Sequence, residues 1–91
     1  MHLKWSGKAL DDVERLYDFL ARINKSAAAQ TVQSLVAAPA RLIDNPRIGE
    51  QLDEFAPLEV RRIIAGRYEI RYQVENDAIY VLRLWHTRED R

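Results

Sequence analysis

Residues 59–85 read EVRRIIAGRYEIRYQVENDAIYVLRLW, and this stretch decides the fold. Two turn signals, Gly66 and the pair Asn76-Asp77, divide it into three runs that are rich in β-branched and aromatic residues. Runs of this length joined by such short turns predict consecutive antiparallel strands, because each strand folds back on the one before it. We therefore expect a three-stranded meander. Its strands should cover residues 60–65, 67–75 and 78–85.

The middle strand has two chemically different faces, because alternate residues of a strand lie on opposite sides of a sheet. The apolar face carries Tyr68, Ile70, Tyr72 and Val74. The polar face carries Arg67, Glu69, Arg71 and Gln73. We expect the apolar face to pack against the rest of the core and the polar face to meet solvent or a ligand.

The last strand is apolar on both faces, which is typical of a strand in the centre of a sheet. By simple alternation, Ile79 and Val81 should oppose Tyr80, Leu82 and Leu84. Residues 2–5 alternate polar and apolar side chains and predict a short first strand, which could pair beside the last one.

Between the first strand and the meander, apolar residues recur every three or four positions, which predicts two helices. Ser6 is the expected N-cap of the first helix, at about residues 7–23, and Ser26 is the expected N-cap of the second. The first apolar stripe consists of Leu10, Val13, Leu16, Tyr17, Leu20 and Ile23. The second stripe consists of Ala28, Val32, Leu35, Val36, Leu42 and Ile43.

Pro39 interrupts the second helical pattern, so we expect a kink or a restart of the helix near residues 37–40. Residues 47–58 mix charges with Gly49 and Pro57, which favours a surface loop. The resulting order, β-α-α-β-β-β, predicts one α+β domain over residues 1–91. In it a helical hairpin packs on a small, mainly antiparallel sheet.

Composition excludes several classes of protein. The chain has no cysteine and two histidines, too few to complete a tetrahedral metal centre, so we expect no metal. It has no glycine-rich phosphate loop, nucleophile elbow or dinucleotide fingerprint, so we expect no cofactor. No stretch has the length of a signal peptide core or a bilayer span, so we expect a cytoplasmic protein without membrane contact.

Arginine is the dominant basic residue of the last third of the chain, where lysine is absent. These arginines are Arg61, Arg62, Arg67, Arg71, Arg83, Arg88 and Arg91. A guanidinium grips a carboxylate or phosphate at two points and stacks on aromatic rings, so the first six are candidates for binding RNA, DNA or an acidic peptide. Strand alternation should place Arg67 and Arg71 on one face. The alternative is pairing with Glu59, Glu69, Glu75, Glu89 and Asp90 on a solvated face.

His86 ends the strongest β run and could move a proton near neutral pH. The more common role for a histidine at a strand end is structural, with the ring capped by a carbonyl or carboxylate group.

Residues 66–74 (GRYEIRYQV) and 79–90 (IYVLRLWHTRED), with a short acidic turn between them, resemble the C-terminal half of RelE/ParE superfamily toxins. The segments 45–49 (NPRIG) and 3–6 (LKWS) are similar to that superfamily too. The resemblance implies the toxin of a type II toxin-antitoxin system, of the kind also described as a plasmid stabilisation protein. It also implies a cognate antitoxin, through which alone the toxin would contact operator DNA.

Two mechanisms occur in that superfamily. ParE-like members bind and poison DNA gyrase, whereas RelE-like members cut mRNA on the ribosome. The resemblance favours gyrase, because RelE-like nucleases tend to have arginine where Glu69 stands and a tyrosine beyond the last strand, where this chain stops at Arg91. For the nuclease alternative, His86, Arg88 and Tyr72 are the candidates for acid, cation and positioning group. A third alternative is a non-toxic module that acts with the antitoxin in transcriptional repression.

Overall fold

The computed structural model describes residues 1–89, which form two α-helices and one five-stranded sheet. The helices are α1 (Gly7–Ala21) and α2 (Lys25–Ala37). The strands are β1 (His2–Trp5), β2 (Glu50–Gln51), β3 (Glu59–Ala65), β4 (Tyr68–Glu75) and β5 (Ala78–His86). Short 3-10 helices cover Ala38–Leu42 and Asp53–Phe55. Within residues 1–89, neither helix combines the length and the hydropathy that crossing a bilayer requires.

The sheet has the strand order β1-β5-β4-β3-β2. The antiparallel meander β3-β4-β5 is confirmed, and so is the interior position of β5, which pairs with β4 on one side and with β1, in parallel, on the other. Gly66 and Asn76 have φ angles of 62° and 52° in the two tight turns. Glycine and asparagine tolerate this left-handed conformation best, which explains why these residues signal the turns.

The segment 47–58 is more ordered than the expected loop. Its residues Glu50 and Gln51 form the edge strand β2 and pair with Arg62 and Arg61 of β3. A strand of two residues has no periodicity of its own to read, so only its position beside β3 makes it a strand.

Both helices begin at a side-chain cap. The Ser6 hydroxyl accepts a hydrogen bond from the Ala9 N–H at 3.0 Å, as the sequence predicts. The expected cap of the second helix is wrong by two residues, because the Asn24 side chain accepts from the Ala27 N–H and Ser26 lies inside α2. Asparagine caps as well as serine does, and the first asparagine after α1 takes the position.

Pro39 marks the restart that the sequence predicts. Helix α2 ends at Ala37, and Pro39 lies buried in the first turn of the 3-10 helix Ala38–Leu42. Proline is tolerated at the start of a helix, because its missing N–H would have no partner there.

The core lies between the helices and one face of the sheet. It contains Leu16, Leu35, Leu42, Ile63, Ile70, Tyr72, Ile79, Val81 and Leu84, among other residues. The predicted helical stripes are too broad, because Leu10, Ile23, Val36 and Ile43 are exposed. A two-helix hairpin covers one side of the sheet and buries only the narrow strip of each helix that touches it.

A β-bulge changes which residues of β5 share a face. Arg71 pairs with Arg83 but Tyr72 pairs with Val81, which leaves Leu82 as an extra residue. Beyond the bulge, Leu84 therefore joins the core face, and the prediction that it opposes Ile79 and Val81 is wrong. The same shift turns Arg83 and Trp85 towards the polar face of β4.

Candidate functional site

The polar face of the sheet carries most of the predicted arginines side by side. Arg62, Arg71 and Arg83 are direct neighbours on β3, β4 and β5, and Glu69 is opposite Trp85. Together with Arg15 of α1 and side chains of the segment 50–54 they line an open groove of about 940 Å³. We call it the arginine groove.

Glu69 is buried beneath two arginines of the arginine groove and is 1% exposed. Its carboxylate lies 3.2 Å from Arg62 and 3.3 Å from Arg71. Arg62 also pairs with Glu50 at 2.8 Å. The hydrogen bond and charge of Glu50, followed by the charge of Glu69, raise the pKa of Arg62. The central carboxylate therefore binds the cations of the groove from below.

Aromatic rings fix the guanidinium of Arg71. Its central carbon lies 4.6 Å from the ring centre of Trp85 and 5.2 Å from that of Phe55. Arg83 stacks on the same indole at 5.0 Å. A cation over an aromatic face gains up to about 2 kcal/mol when it is shielded from water. Arg71 is thus clamped, and its buried Nε has no hydrogen-bond acceptor among residues 1–89.

Asp12 of α1 anchors the helix to the unpaired edge of β5. Strand β1 ends at Trp5, opposite Val81, so beyond that point no strand pairs with β5 on the side away from β4. Asp12 accepts hydrogen bonds from the Leu84 N–H at 2.9 Å and from Arg83 at 2.8 Å. The helix thereby replaces the missing strand.

Two further side chains complete this replacement. The Ser6 hydroxyl donates to the Leu82 carbonyl at 2.9 Å, and Arg15 donates to the Leu84 carbonyl at 3.2 Å. Arg15 also bonds Asp12 at 3.1 Å and pairs with Glu89. Burial raises the pKa of Asp12, but the hydrogen bonds from Arg83, Leu84 and Arg15 together hold it below its ordinary value.

The charges of the arginine groove are therefore compensated internally. Among the described residues, its arginines are Arg15, Arg62, Arg71 and Arg83. The carboxylates in or beneath it are Asp12, Glu50, Glu54, Glu69 and Glu89. Arg62 and Arg71 pair with Glu69, which is the alternative that the sequence left open, whereas Arg83 pairs with Asp12, a partner outside that alternative.

Arg61 has a structural position on the other face of β3. It donates to the Gly49 carbonyl at 2.8 Å and pairs with Glu59 at 2.8 Å, and Glu59 also binds Arg47. Hydrogen bonds from Arg47 and then Arg61 lower the pKa of Glu59. This cluster holds the segment before β2 against the sheet.

Arg67 and Arg88 lie apart from the arginine groove, and the prediction that Arg67 shares a face with Arg71 is wrong. Arg67 stands in the turn between β3 and β4, outside the strand, and Arg88 follows β5. Both are exposed, and neither pairs with a carboxylate among residues 1–89. They are neighbours, because the Arg67 carbonyl accepts from the Thr87 N–H at 2.8 Å. Asp90 and Arg91 lie outside the described residues.

The three candidates for acid, cation and positioning group do not form one site. His86 packs edge-on against Tyr68 at 5.3 Å, and its Nδ1 accepts from the Arg88 N–H at 3.1 Å, a backbone donor in place of the expected carbonyl or carboxylate. Tyr72 is fully buried. It lies four residues after Tyr68 on β4, which places it roughly 13 Å along the strand from Tyr68, the residue that His86 contacts. Its hydroxyl donates to the Pro46 carbonyl and accepts from the Gly49 N–H.

The sequence of residues 3–91 matches the profile of a family described as the ParE toxin of the type II toxin-antitoxin system parDE. The chain belongs to the ParE toxin family. It is similar in fold to a solved structure described as the chromosomal ParDE TA system from P. aeruginosa. The TM-score is 0.74 at 24% identity, over 94% of this chain and 95% of that one. No curated protein matches it in sequence. The family and the α+β fold that the resemblance implied are confirmed.

Sequence reasoning missed the contribution of α1 to the site of this ParE-family chain. Asp12 lies three residues after Ala9 and four before Leu16, both of which are buried, so it occupies an inward position of the helix. A carboxylate at that spacing is the signal that could have found it, because buried carboxylates require partners. Within residues 1–89, no three histidine or carboxylate side chains are placed to hold a metal ion.

Tyr72 of this ParE-family chain is expected to stabilise the fold by tying down the 46–49 segment. We expect Tyr72→Phe to lower the free energy of unfolding by about 1 to 2 kcal/mol, because the Gly49 N–H and the Pro46 carbonyl each lose a buried partner. Urea denaturation measures the loss. Tyr80→Phe is the matched control, since the Tyr80 hydroxyl makes no hydrogen bond within residues 1–89. Equal stability of the two variants would contradict this role.

Proposed function

We propose that the chain is the toxin of a toxin-antitoxin pair, that it arrests growth by binding and poisoning DNA gyrase, and that a cognate antitoxin neutralises it. The resemblance to ParE-like toxins implies this target. The observation that favours gyrase binding over mRNA cleavage is the position of Glu69, which is buried and pairs with both Arg62 and Arg71 of the arginine groove.

This position argues against phosphodiester cleavage at the groove. Attack by a 2′-hydroxyl requires a base, an acid for the leaving oxygen and cations for the crowded phosphate. Here Glu69 already binds two of the cations, and a carboxylate repels a phosphate. His86 shares the face of Tyr68, on the opposite side of the sheet. This arrangement supports a toxin that acts by binding to a protein.

The test uses purified toxin without antitoxin in two parallel assays. One assay contains gyrase and supercoiled or relaxed plasmid, and the other contains translating ribosomes with labelled mRNA. We expect gyrase to stall or to accumulate cleaved DNA while the mRNA stays intact, and we expect added antitoxin to restore supercoiling.

Two other results would overturn the gyrase proposal. Cleavage of the mRNA would establish the RelE-like alternative, with His86 and Arg88 as the first residues to replace. Inactivity in both assays, combined with harmless expression in cells, would establish a module that serves only in repression with the antitoxin.

The proposed antitoxin contact lies on α1. Phe19 is 60% exposed and borders an apolar groove of about 420 Å³ between α1 and the end of β5. Leu16, Leu20, Tyr68 and His86 also line this groove. An amphipathic helix binds by placing apolar side chains in such a groove, and a segment that folds on binding can cover the exposed surface beside it.

We expect Phe19→Ala to weaken antitoxin binding at least about tenfold, because a few aromatic anchors contribute most of the binding energy of a protein interface. Isothermal titration of the toxin with its antitoxin measures the effect. Ile48→Ala is the matched control, since Ile48 is 58% exposed but lies in the segment before β2. If both variants bind like the parent chain, Phe19 is not an anchor of the antitoxin contact.

A further inference from the structure

A third groove lies between α2 and the turn that joins β3 to β4. It has a volume of about 640 Å³, and we call it the turn groove. Arg41 of the 3-10 helix and Arg67 of the turn contribute its cations, while Thr31 and Ser34 of α2 contribute hydroxyls. None of the described residues that line it is acidic. The arginine groove, by contrast, is lined by the carboxylates of Glu50, Glu54 and Glu89.

The two cations of the turn groove have no compensating charge. Arg41 makes one long hydrogen bond, to the Ile64 carbonyl at 3.4 Å, and the Arg67 guanidinium makes none within residues 1–89. Neither lies within 4.0 Å of a carboxylate among those residues. A guanidinium that is not paired internally keeps its donors available for an external anion.

The hydroxyls are available in the same way. Thr31 and Ser34 are three residues apart on α2 and therefore lie on the same face. Such hydroxyls often bond back to the carbonyl four residues earlier in the helix. Here neither side chain bonds to any group within residues 1–89. The helix thus presents two unused donors beside the two arginines.

We propose that the turn groove binds a phosphate group of a nucleic acid strand. Guanidinium and hydroxyl groups supply only donors to an anion, and the planar fork of a guanidinium can donate to two oxygens of one phosphate. The elements that hold the donors are fixed, because Arg67 follows Gly66 in a tight turn and Arg41 lies next to the buried Leu42. The toxin itself would then contact nucleic acid, which goes beyond the gyrase proposal.

The test measures binding of a short fluorescent DNA duplex to the whole chain by anisotropy, over a series of salt concentrations and without gyrase or ribosomes. We expect the logarithm of the binding constant to fall linearly with the logarithm of salt concentration. The double variant Arg41→Gln with Arg67→Gln should bind at least about tenfold more weakly at low salt, with a slope that is shallower by about 1, since one phosphate contact is lost. Inorganic phosphate should compete with the duplex.

Arg22→Gln is the control, because Arg22 is also an exposed arginine but lies among Asp11, Glu14 and Asp18. We expect it to bind the duplex like the parent chain, and urea denaturation of both variants checks that they fold. Unchanged affinity and slope in the double variant would overturn the proposal. So would displacement of the duplex by a glutamate-rich peptide at a lower concentration than inorganic phosphate requires, since the site would then be one for protein carboxylates. Because gyrase is absent, either failure leaves the gyrase proposal standing.

Discussion

Replacing Asp12 with alanine is expected to lower the free energy of unfolding by about 2 to 4 kcal/mol, one of the two largest effects of a single substitution that we predict. The carboxylate is 4% exposed and accepts hydrogen bonds from the Leu84 N–H, Arg83 and Arg15. Removing one partner of a buried pair costs about 3 to 5 kcal/mol. The partial exposure of both arginines reduces this figure. Urea denaturation at neutral pH measures the loss.

Asp12 should also make stability depend on pH in the acid range. Its pKa in the folded chain lies below the ordinary value of 3.8, so the unfolded chain takes up a proton at a higher pH than the folded chain does. The stabilisation is complete above that ordinary value and is lost as the pH falls through the lowered folded pKa. We therefore expect Asp12→Asn to lose less stability than the parent chain between neutral pH and strong acid.

Asp18→Ala is the control for both measurements, because Asp18 lies exposed on the same helix. A surface substitution of this kind changes stability by about 0.5 kcal/mol or less. If Asp12→Ala were as mild as Asp18→Ala, the helix would not depend on this anchor.

Replacing Glu69 with alanine is the second substitution with a large expected effect, also about 2 to 4 kcal/mol. The carboxylate is 1% exposed, and its removal leaves the half-buried guanidinium of Arg71 beside Arg62 without the charge between them. Uncompensated buried charge and repulsion between neighbouring cations both destabilise the folded chain. Thermal or urea unfolding of the purified variant measures the effect.

Glu75→Ala provides the comparison, since Glu75 is exposed at the end of the same strand and meets only Gln73 at 3.4 Å among residues 1–89. We expect it to unfold like the parent chain. A stable Glu69→Ala variant would mean that the aromatic clamp of Phe55 and Trp85 holds Arg71 without its carboxylate. In that case Glu69 would not be the group that holds the cations of the arginine groove.

The sequence by itself determined the meander, the turns and the family. The meander can be predicted from the sequence because its pattern is local. Side chains alternate with a period of two along each strand, and the turn residues Gly66 and Asn76 tolerate a positive φ. The Ser6 cap and the restart at Pro39 are local in the same sense, since each depends on the hydrogen bonds of one helical turn.

Only the tertiary structure decided what the arginines do. The bulge at Leu82 is not encoded in any local period, yet it brings Arg83 and Trp85 to the side of Arg71. Arg83 also pairs with Asp12 from α1, and Arg71 also lies over the ring of Phe55 from a 3-10 helix. An ion pair depends on distance in space, and residues as far apart in sequence as Asp12 and Arg83 become neighbours only when α1 docks on the unpaired edge of β5. Charge compensation across elements is therefore a property of the packed molecule, whereas the strands and turns are already properties of the chain.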